Sequence, residues 1–281
     1  MKIVYVASMA HSGSTLLDLL ISAHSRVASV GEVKNLVDIA EPGCSCAAAS
    51  VWTCPFWSEV GRRFEARTGV ELRRAQILRE SDADYAGHNR ALFETIGEVT
   101  GRTTIVDSSK SLERLRGLVR TAGLDVFPIH LVRRPQGVVY SHLRKGRGWV
   151  RLALRHGRRT VETARFVDAL PHLSVAYEDL AASPRETLAS VMSAIGMSFE
   201  PEQLQWAGRE RHNCEGNRMR RSSDHAIRPD LAWRTALPLW QRQSIGVLAS
   251  VGRIVARVAP AALPRAESRA PVGEMSRVAA A

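Results

Sequence analysis

The chain has 281 residues, 45% hydrophobic and 24% charged, with 39 Lys and Arg against 28 Asp and Glu for a formal charge of +11. That balance suits a soluble globular protein with a buried core. No apolar run approaches the roughly 18 residues of a membrane span, and Met1-Lys2 leads into a strand without signal-peptide layout, so stable membrane insertion is excluded and the cytoplasm is the expected location. The positive excess, much of it an arginine bias, favours anionic ligands, surfaces or nucleic acid without choosing among them.

The first element is KIVYVASMAHSGSTLLDLLI, Lys2 to Ile21. Ile3-Val4-Tyr5-Val6 reads as a buried strand, and Leu16, Leu17, Leu19, Leu20 and Ile21 follow with helical spacing. Between them lies Ser12-Gly13-Ser14-Thr15. Gly13 lets a ligand approach the backbone, Ser14 and Thr15 offer hydroxyls, and the first helical amides are unpaired donors at the positive dipole end, which suits a phosphate. The loop is similar to the Walker A phosphate loop but lacks its lysine, so an ordinary ATP or GTP hydrolase is disfavoured.

A short strand over Val27–Ser29 precedes a cysteine-rich loop. Cys44, Cys46 and Cys54 cluster in CSCAAASVWTCPFW, with Cys214 distant. The spacing lacks paired C-x-x-C, and small buried thiols packed beside Trp52, Phe56 and Trp57 are favoured over zinc or a disulfide. A charged, mostly helical region runs from Phe56 to about Gly101. Further strands are expected at Thr103 to Val106, ending in Asp107-Ser108-Ser109-Lys110; at Val126 to Val132, ending in Arg133-Arg134-Pro135; and at Leu173 to Ala176, ending in Tyr177-Glu178-Asp179-Leu180. Helices follow from about Gln136 and from Pro184, and a long one over Leu239 to Val258 reads as a packing helix rather than a membrane-surface one. Strands alternating with helices imply an α/β fold: a three-layer sandwich with a central, mostly parallel sheet and the phosphate-binding loop after the first strand. Ligands of such sheets gather where the strands end, and these strands end in polar residues. The expected organisation is one domain over 1–260 and a disordered tail over 261–281.

In HLVRRPQGVVYSHLRKGRGW, Arg133 lies eight residues before Ser141. A strand-end arginine and a serine about two helical turns onward can both face the ligand edge and hold one phosphate. SGST after the first strand, R-x-P-x-x-V-x-x-S after a later one, and the strand, YEDL turn and Pro-started helix of Ser174 to Met197 together resemble the sulfotransferases that use 3′-phosphoadenylyl sulfate (PAPS). The resemblance spans Lys2 to about Met197. It implies that Ser12, Gly13, Ser14 and Thr15 hold the donor's 5′-phosphosulfate end and Arg133 and Ser141 its 3′-phosphate, with PAPS as co-substrate and no metal required.

The resemblance makes Glu32, 21 residues after His11, the base. His11 stands where relatives commonly carry Lys or Arg against the leaving group; a histidine donates the same bond only while the facing nitrogen is protonated. The role otherwise passes to Lys110, which might equally pair with Asp107. Arg218 and Arg220, after Gly216, either close over the 3′-phosphate or belong to a solvated basic loop. The basic run Arg144 to Arg159 frames the acceptor entrance or is surface; one interleaved Trp149 is too little for nucleic acid. The resulting expectation is sulfuryl transfer from PAPS to a hydroxyl of a small-molecule, carbohydrate or lipid acceptor by in-line displacement. The rivals are a small-molecule kinase with a degenerate phosphate loop, using Asp107 and Lys110, and a non-catalytic nucleotide- or polyanion-binding module. The acceptor and oligomeric state are not legible in these residues.

Overall fold

The computed structural model describes residues 1–46 and 48–258. The tail expected over 261–281 lies outside the described residues. The strands are Lys2–Ser8 (β1), Val27–Ser29 (β2), Thr104–Asp107 (β3), Asp125–Val132 (β4) and Leu173–Ala176 (β5). They form one sheet in the order β2-β3-β1-β4-β5, and every pairing is parallel, with Lys2 opposite Thr104 on one side and Asp125 on the other. The expected mostly parallel sheet is thus wholly parallel. Parallel neighbours need a crossover connection rather than a tight hairpin, and helices separate these strands along the chain.

The helices are Ser14–Ile21 (α1), Asn35–Asp38 (α2), Pro55–Thr68 (α3), Tyr85–Thr100 (α4), Leu112–Arg120 (α5), Pro135–Leu143 (α6), Trp149–Val167 (α7), Tyr177–Ala182 (α8), Pro184–Ala194 (α9), Trp233–Ala236 (α10) and Leu239–Val258 (α11). Successive side chains of a strand point to opposite faces. Ile3, Tyr5 and Ala7 of β1 therefore pack with α3, α4 and α5, while Val4 and Val6 pack with α1, α8 and α9. Burial on both faces explains why β1 reads as a continuous apolar run. The helical stretch expected from Phe56 to Gly101 is broken between α3 and α4. There Gln76 bonds the chain to the start of α4, its amide donating to His88 Nδ1 at 2.9 Å and its side-chain oxygen accepting from Asp84 N at 3.0 Å.

The expected packing helix, α11, lies on α7 through Ile245, Ala249, Gly252 and Ala256. A Cβ on Gly157 of α7 would overlap the Ala249 carbonyl, so the two backbones meet directly. Trp240, Val247, Ile254 and Val255 on α11 are exposed. No helix among the described residues is long and apolar enough to cross a membrane.

The chain leaves β1 toward β2 on one side of the sheet and leaves β4 toward β5 on the other. This reversal opens a crevice beyond the carboxyl ends of β1 and β4, where α/β folds place ligands.

Candidate functional site

A cavity of about 300 Å³ occupies that crevice, lined by Ser8 to Ala10 and Ser12 after β1, Lys110 after β3, and His130 to Arg133 at the end of β4. Helices α6 and α7 close it with His142, Arg155, His156 and Arg159, joined by Arg147 from the turn between them. Part of the basic run thus lines the cavity mouth, with Arg147, Arg155 and Arg159 still exposed to solvent. Ser8 Oγ, His142 Nδ1 and His156 Nδ1 are buried without hydrogen-bond partners. Polar atoms left this way cost about 1–3 kcal/mol each, so a polar ligand in the cavity has groups to satisfy.

The loop after β1 turns sharply: His11 has φ 68° and Gly13 φ 92°. Gly13 is required twice over, because a Cβ there would also overlap the Tyr177 ring. No side chain caps the start of α1 and no acidic residue occupies its first turn, so its leading amides and positive dipole end stay free for an anion. Ser12 is buried against the cavity. Thr15 Oγ1 accepts from Asn217 N at 3.3 Å, which lays the segment after Gly216 over the loop.

Arg133 is only 6% exposed. Its Nη1 donates to the His11 carbonyl at 2.9 Å, and its Nη2 donates to the Asp230 carboxylate at 2.9 Å. The guanidinium carbon sits 4.4 Å from the centroid of the Tyr177 ring, and the Tyr177 hydroxyl accepts from Asp230 N at 3.1 Å. One arginine therefore ties the loop after β1, the end of β4 and the start of α8. A Cβ on Gly137 would stand 2.7 Å from Arg133 Nε, and Ser141, one turn further along α6, donates to the Gly137 carbonyl at 2.9 Å. The expected arginine and serine thus share a face.

On the other side of β1, Glu32 and Lys110 meet in a direct ammonium–carboxylate contact, each side chain 14% exposed. Glu32 is fixed by its amide, which donates to the Cys214 carbonyl at 2.8 Å, and by Asn35 N, which donates to its carbonyl at 2.9 Å. Lys110 has φ 64°. Left-handed backbone costs a non-glycine residue about 1–2 kcal/mol, and among the described residues only His11, Lys110 and Glu215 take positive φ outside glycine. Such strain concentrates at functional sites.

The alternative pairing of Lys110 with Asp107 is corrected. Asp107 is fully buried and receives Arg114 Nε at 2.9 Å and Ser109 N at 2.9 Å. A buried carboxylate needs the partner that desolvates with it, and Arg114, in the first turn of α5, is buried beside it whereas Lys110 reaches the cavity.

Lys110 lines the cavity and His11 does not. The His11 ring stands edge-on to His142, centroids 4.6 Å apart. Burial first, then the charges of His142, Lys145, Lys110 and Arg133, pushes the His11 pKa down to about 4. The imidazole is neutral at physiological pH and has one N–H to donate.

Arg220 turns inward, donating from Nη1 to the Gly216 carbonyl at 2.9 Å and lying 4.0 Å from Glu215. Arg218 is exposed, with no hydrogen bond or ion pair among the described residues. Both follow the turn that covers Thr15, yet neither lines the cavity.

Sequence reasoning missed Asp230, which lies in a stretch, 222–231, without regular structure or periodic pattern. It also missed Asp18, fully buried, which accepts Ser108 Oγ at 2.6 Å and also bonds Ser29 and Asn213. Burial lifts the Asp18 carboxyl to about 6, despite the opposing pull of Ser108, Ser29 and Arg211. This hub joins α1 to the ends of β2 and β3. Its only trace in the sequence is one acid on an apolar helix face.

A wholly parallel α/β sheet carries an uncapped helix after its first strand and a buried arginine after β4, at one end of the sheet. Residues 4–201 match the sulfotransferase family, and the chain belongs to that family. Among curated proteins none matches the chain. Among solved structures, the sulfotransferase domain of the Synechococcus PCC 7002 olefin synthase aligns with TM-score 0.56 at 19% identity, covering 89% of this chain and 94% of that one. The sulfotransferase domain from the curacin biosynthetic pathway aligns with TM-score 0.50 at 18% identity, covering 89% and 97%. At these identities the likeness establishes the fold.

Proposed function

We propose that the protein transfers a sulfuryl group from PAPS to a hydroxyl of a small-molecule, carbohydrate or lipid acceptor by in-line displacement. The observation that carries this reading is the setting of Arg133: a nearly buried guanidinium against the loop after β1, satisfied on its outer side by the carboxylate of an exposed segment. An anion can take the place of that carboxylate. Ser12, Gly13, Ser14 and Thr15 would hold the 5′-phosphosulfate end and Arg133 with Ser141 the 3′-phosphate, with Arg218 and Arg220 near enough in sequence to Thr15's cover to join them.

The acceptor oxygen attacks sulfur, its proton passes to Glu32, and the bond from sulfur to the 5′-phosphate oxygen breaks to leave 3′,5′-adenosine diphosphate. A placed base contributes about 10²–10⁴ in rate. Lys110, one hydrogen bond from Glu32 and on the cavity wall, stabilises charge on the departing oxygen. His11 contributes its carbonyl to Arg133 and its neutral ring to the wall behind His142. No metal is needed for this chemistry. The kinase reading loses its magnesium ligand, since Asp107 is buried and engaged by Arg114. A purely binding module has no use for the Glu32 and Lys110 pair.

Calorimetry of the full chain should give saturable binding of 3′,5′-adenosine diphosphate, and labelled sulfate should pass from PAPS to members of a panel of hydroxylated acceptors. Binding of magnesium-ATP with none of 3′,5′-adenosine diphosphate would overturn the reading.

A further inference from the structure

Outside the cavity, Cys44, Cys46, Cys54 and His212 converge. Cys46 Sγ lies 3.3 Å from Cys44 Sγ and 3.6 Å from Cys54 Sγ, and Cys54 Sγ lies 3.2 Å from His212 Nδ1. All four atoms fall within 4.8 Å of one another. Zn–S bonds of about 2.3 Å and Zn–N bonds of about 2.0–2.1 Å place the ligand atoms of a tetrahedron about 3.5–3.8 Å apart, so the three short contacts need to open by only a few tenths of an ångström to take the ion. We propose that Cys44, Cys46, Cys54 and His212 hold one structural zinc ion.

The surroundings suit a metal better than a disulfide. A disulfide would join two thiols and leave the third and the imidazole without purpose, whereas a closed tetrahedral site uses one nitrogen and three sulfurs, a set that selects zinc over oxygen-seeking cations. The other ring nitrogen of His212 faces Glu210 at 3.7 Å, the arrangement that orients a ligating imidazole. Phe56 stacks on the ring with centroids 4.9 Å apart, and Trp57 Nε1 donates to the His212 carbonyl at 2.7 Å. Ala48 N donates to Cys46 Sγ at 3.4 Å. Cys44 and Cys54 are fully buried while Cys46 and His212 are partly exposed, which leaves a path for the ion. Binding displaces the three thiol protons to solvent.

The ion would clamp the 44–54 loop to the strand-like segment around Cys214, which pairs with both Gly31 and Cys44. That segment fixes Glu32 through the Cys214 carbonyl and carries the turn over Thr15. The packing of the thiols beside Trp52, Phe56 and Trp57 is as the sequence suggested. The fourth ligand was hidden because it is His212, 158 residues from Cys54, rather than Cys214. The proposal stands independently of sulfuryl transfer.

Elemental analysis of the full chain, purified from zinc-supplemented medium, should give one zinc per chain, and cobalt in its place should show thiolate-to-metal charge-transfer bands. C46S and H212A should lose the ion to a chromophoric chelator, while C214S should keep it. Stripping the wild type should lower its Tm, and zinc should restore it. Zinc-reconstituted wild type that stays metal-free, a reduced-minus-two-hydrogens mass without metal, or zinc loss in C214S equal to that in C46S would each overturn the proposal. If the ligand variants fail to fold, the metal content and cobalt spectrum of the wild type still decide.

Discussion

Lys110 and Arg133 both line the cavity and both rest on carboxylates, yet the two acids are held differently. Glu32 is 14% exposed and anchored by backbone bonds to Cys214 and Asn35. Asp230 is 43% exposed and sits in a segment without regular structure, tied mainly through the Tyr177 hydroxyl. A partly exposed pair is worth about 0–1 kcal/mol, so under the proposed function Asp230 is the partner that the incoming phosphate displaces. The Glu32 and Lys110 pair is enclosed and stays assembled, as the proposed base and cation of one transfer require. One side of the cavity is built to exchange its anion, the other to keep it.

Glu32→Gln removes the base while keeping shape, so kcat should fall about 10²–10⁴-fold with the affinity for 3′,5′-adenosine diphosphate near wild type; equal loss of binding would erase the distinction between the two sides. Arg133→Ala should weaken that affinity by about two to three orders of magnitude, since truncating a buried hydrogen-bonded cation costs about 2–5 kcal/mol, as titration calorimetry would read. Asp230→Asn should act the other way and tighten binding by about two- to fivefold. A weaker complex would mean that Asp230 positions Arg133 rather than competing for it.

The smallest effect concerns pH. Burial depresses the pKa values of His11 and His130 to about 4 from 6.5, so between those values the unfolded chain binds more protons and stability falls as pH is lowered. Asp18, raised to about 6 from 3.8, opposes this, because there the folded carboxyl binds more protons. His142 and His156 shift the same way as His11, so a net decline in Tm on acidification through that window is expected. A Tm that rose instead would give the Asp18 hub the larger share.

The elements most legible in the sequence are those with local causes. β1 was readable because burial on both faces demands an unbroken apolar run, and the loop before α1 was readable because a strand, a small-residue turn and a helix are contiguous. Arg133 and Ser141 share one strand-to-helix junction and so shared one motif. Pairings across the fold were not readable: Lys110 reaches Glu32 over 78 residues and Arg133 reaches Asp230 over 97. The region from Phe56 to Gly101 was readable as mostly helical, but not where α3 ends and α4 begins, because the polar residues of 78–84 suit a helix surface equally well.

By itself the sequence determined the alternation of strands and helices, the parallel sheet and the small-residue turn before α1, because backbone sterics and side-chain periodicity act over a few residues. Only the tertiary structure decided which carboxylate each cation meets. Lys110 takes Glu32 because Arg114 already fills the buried place beside Asp107, and His212 joins the cysteines because the segment leading to Cys214 returns to the end of β2. Those choices depend on which desolvated charges and donors the finished fold brings within bonding distance.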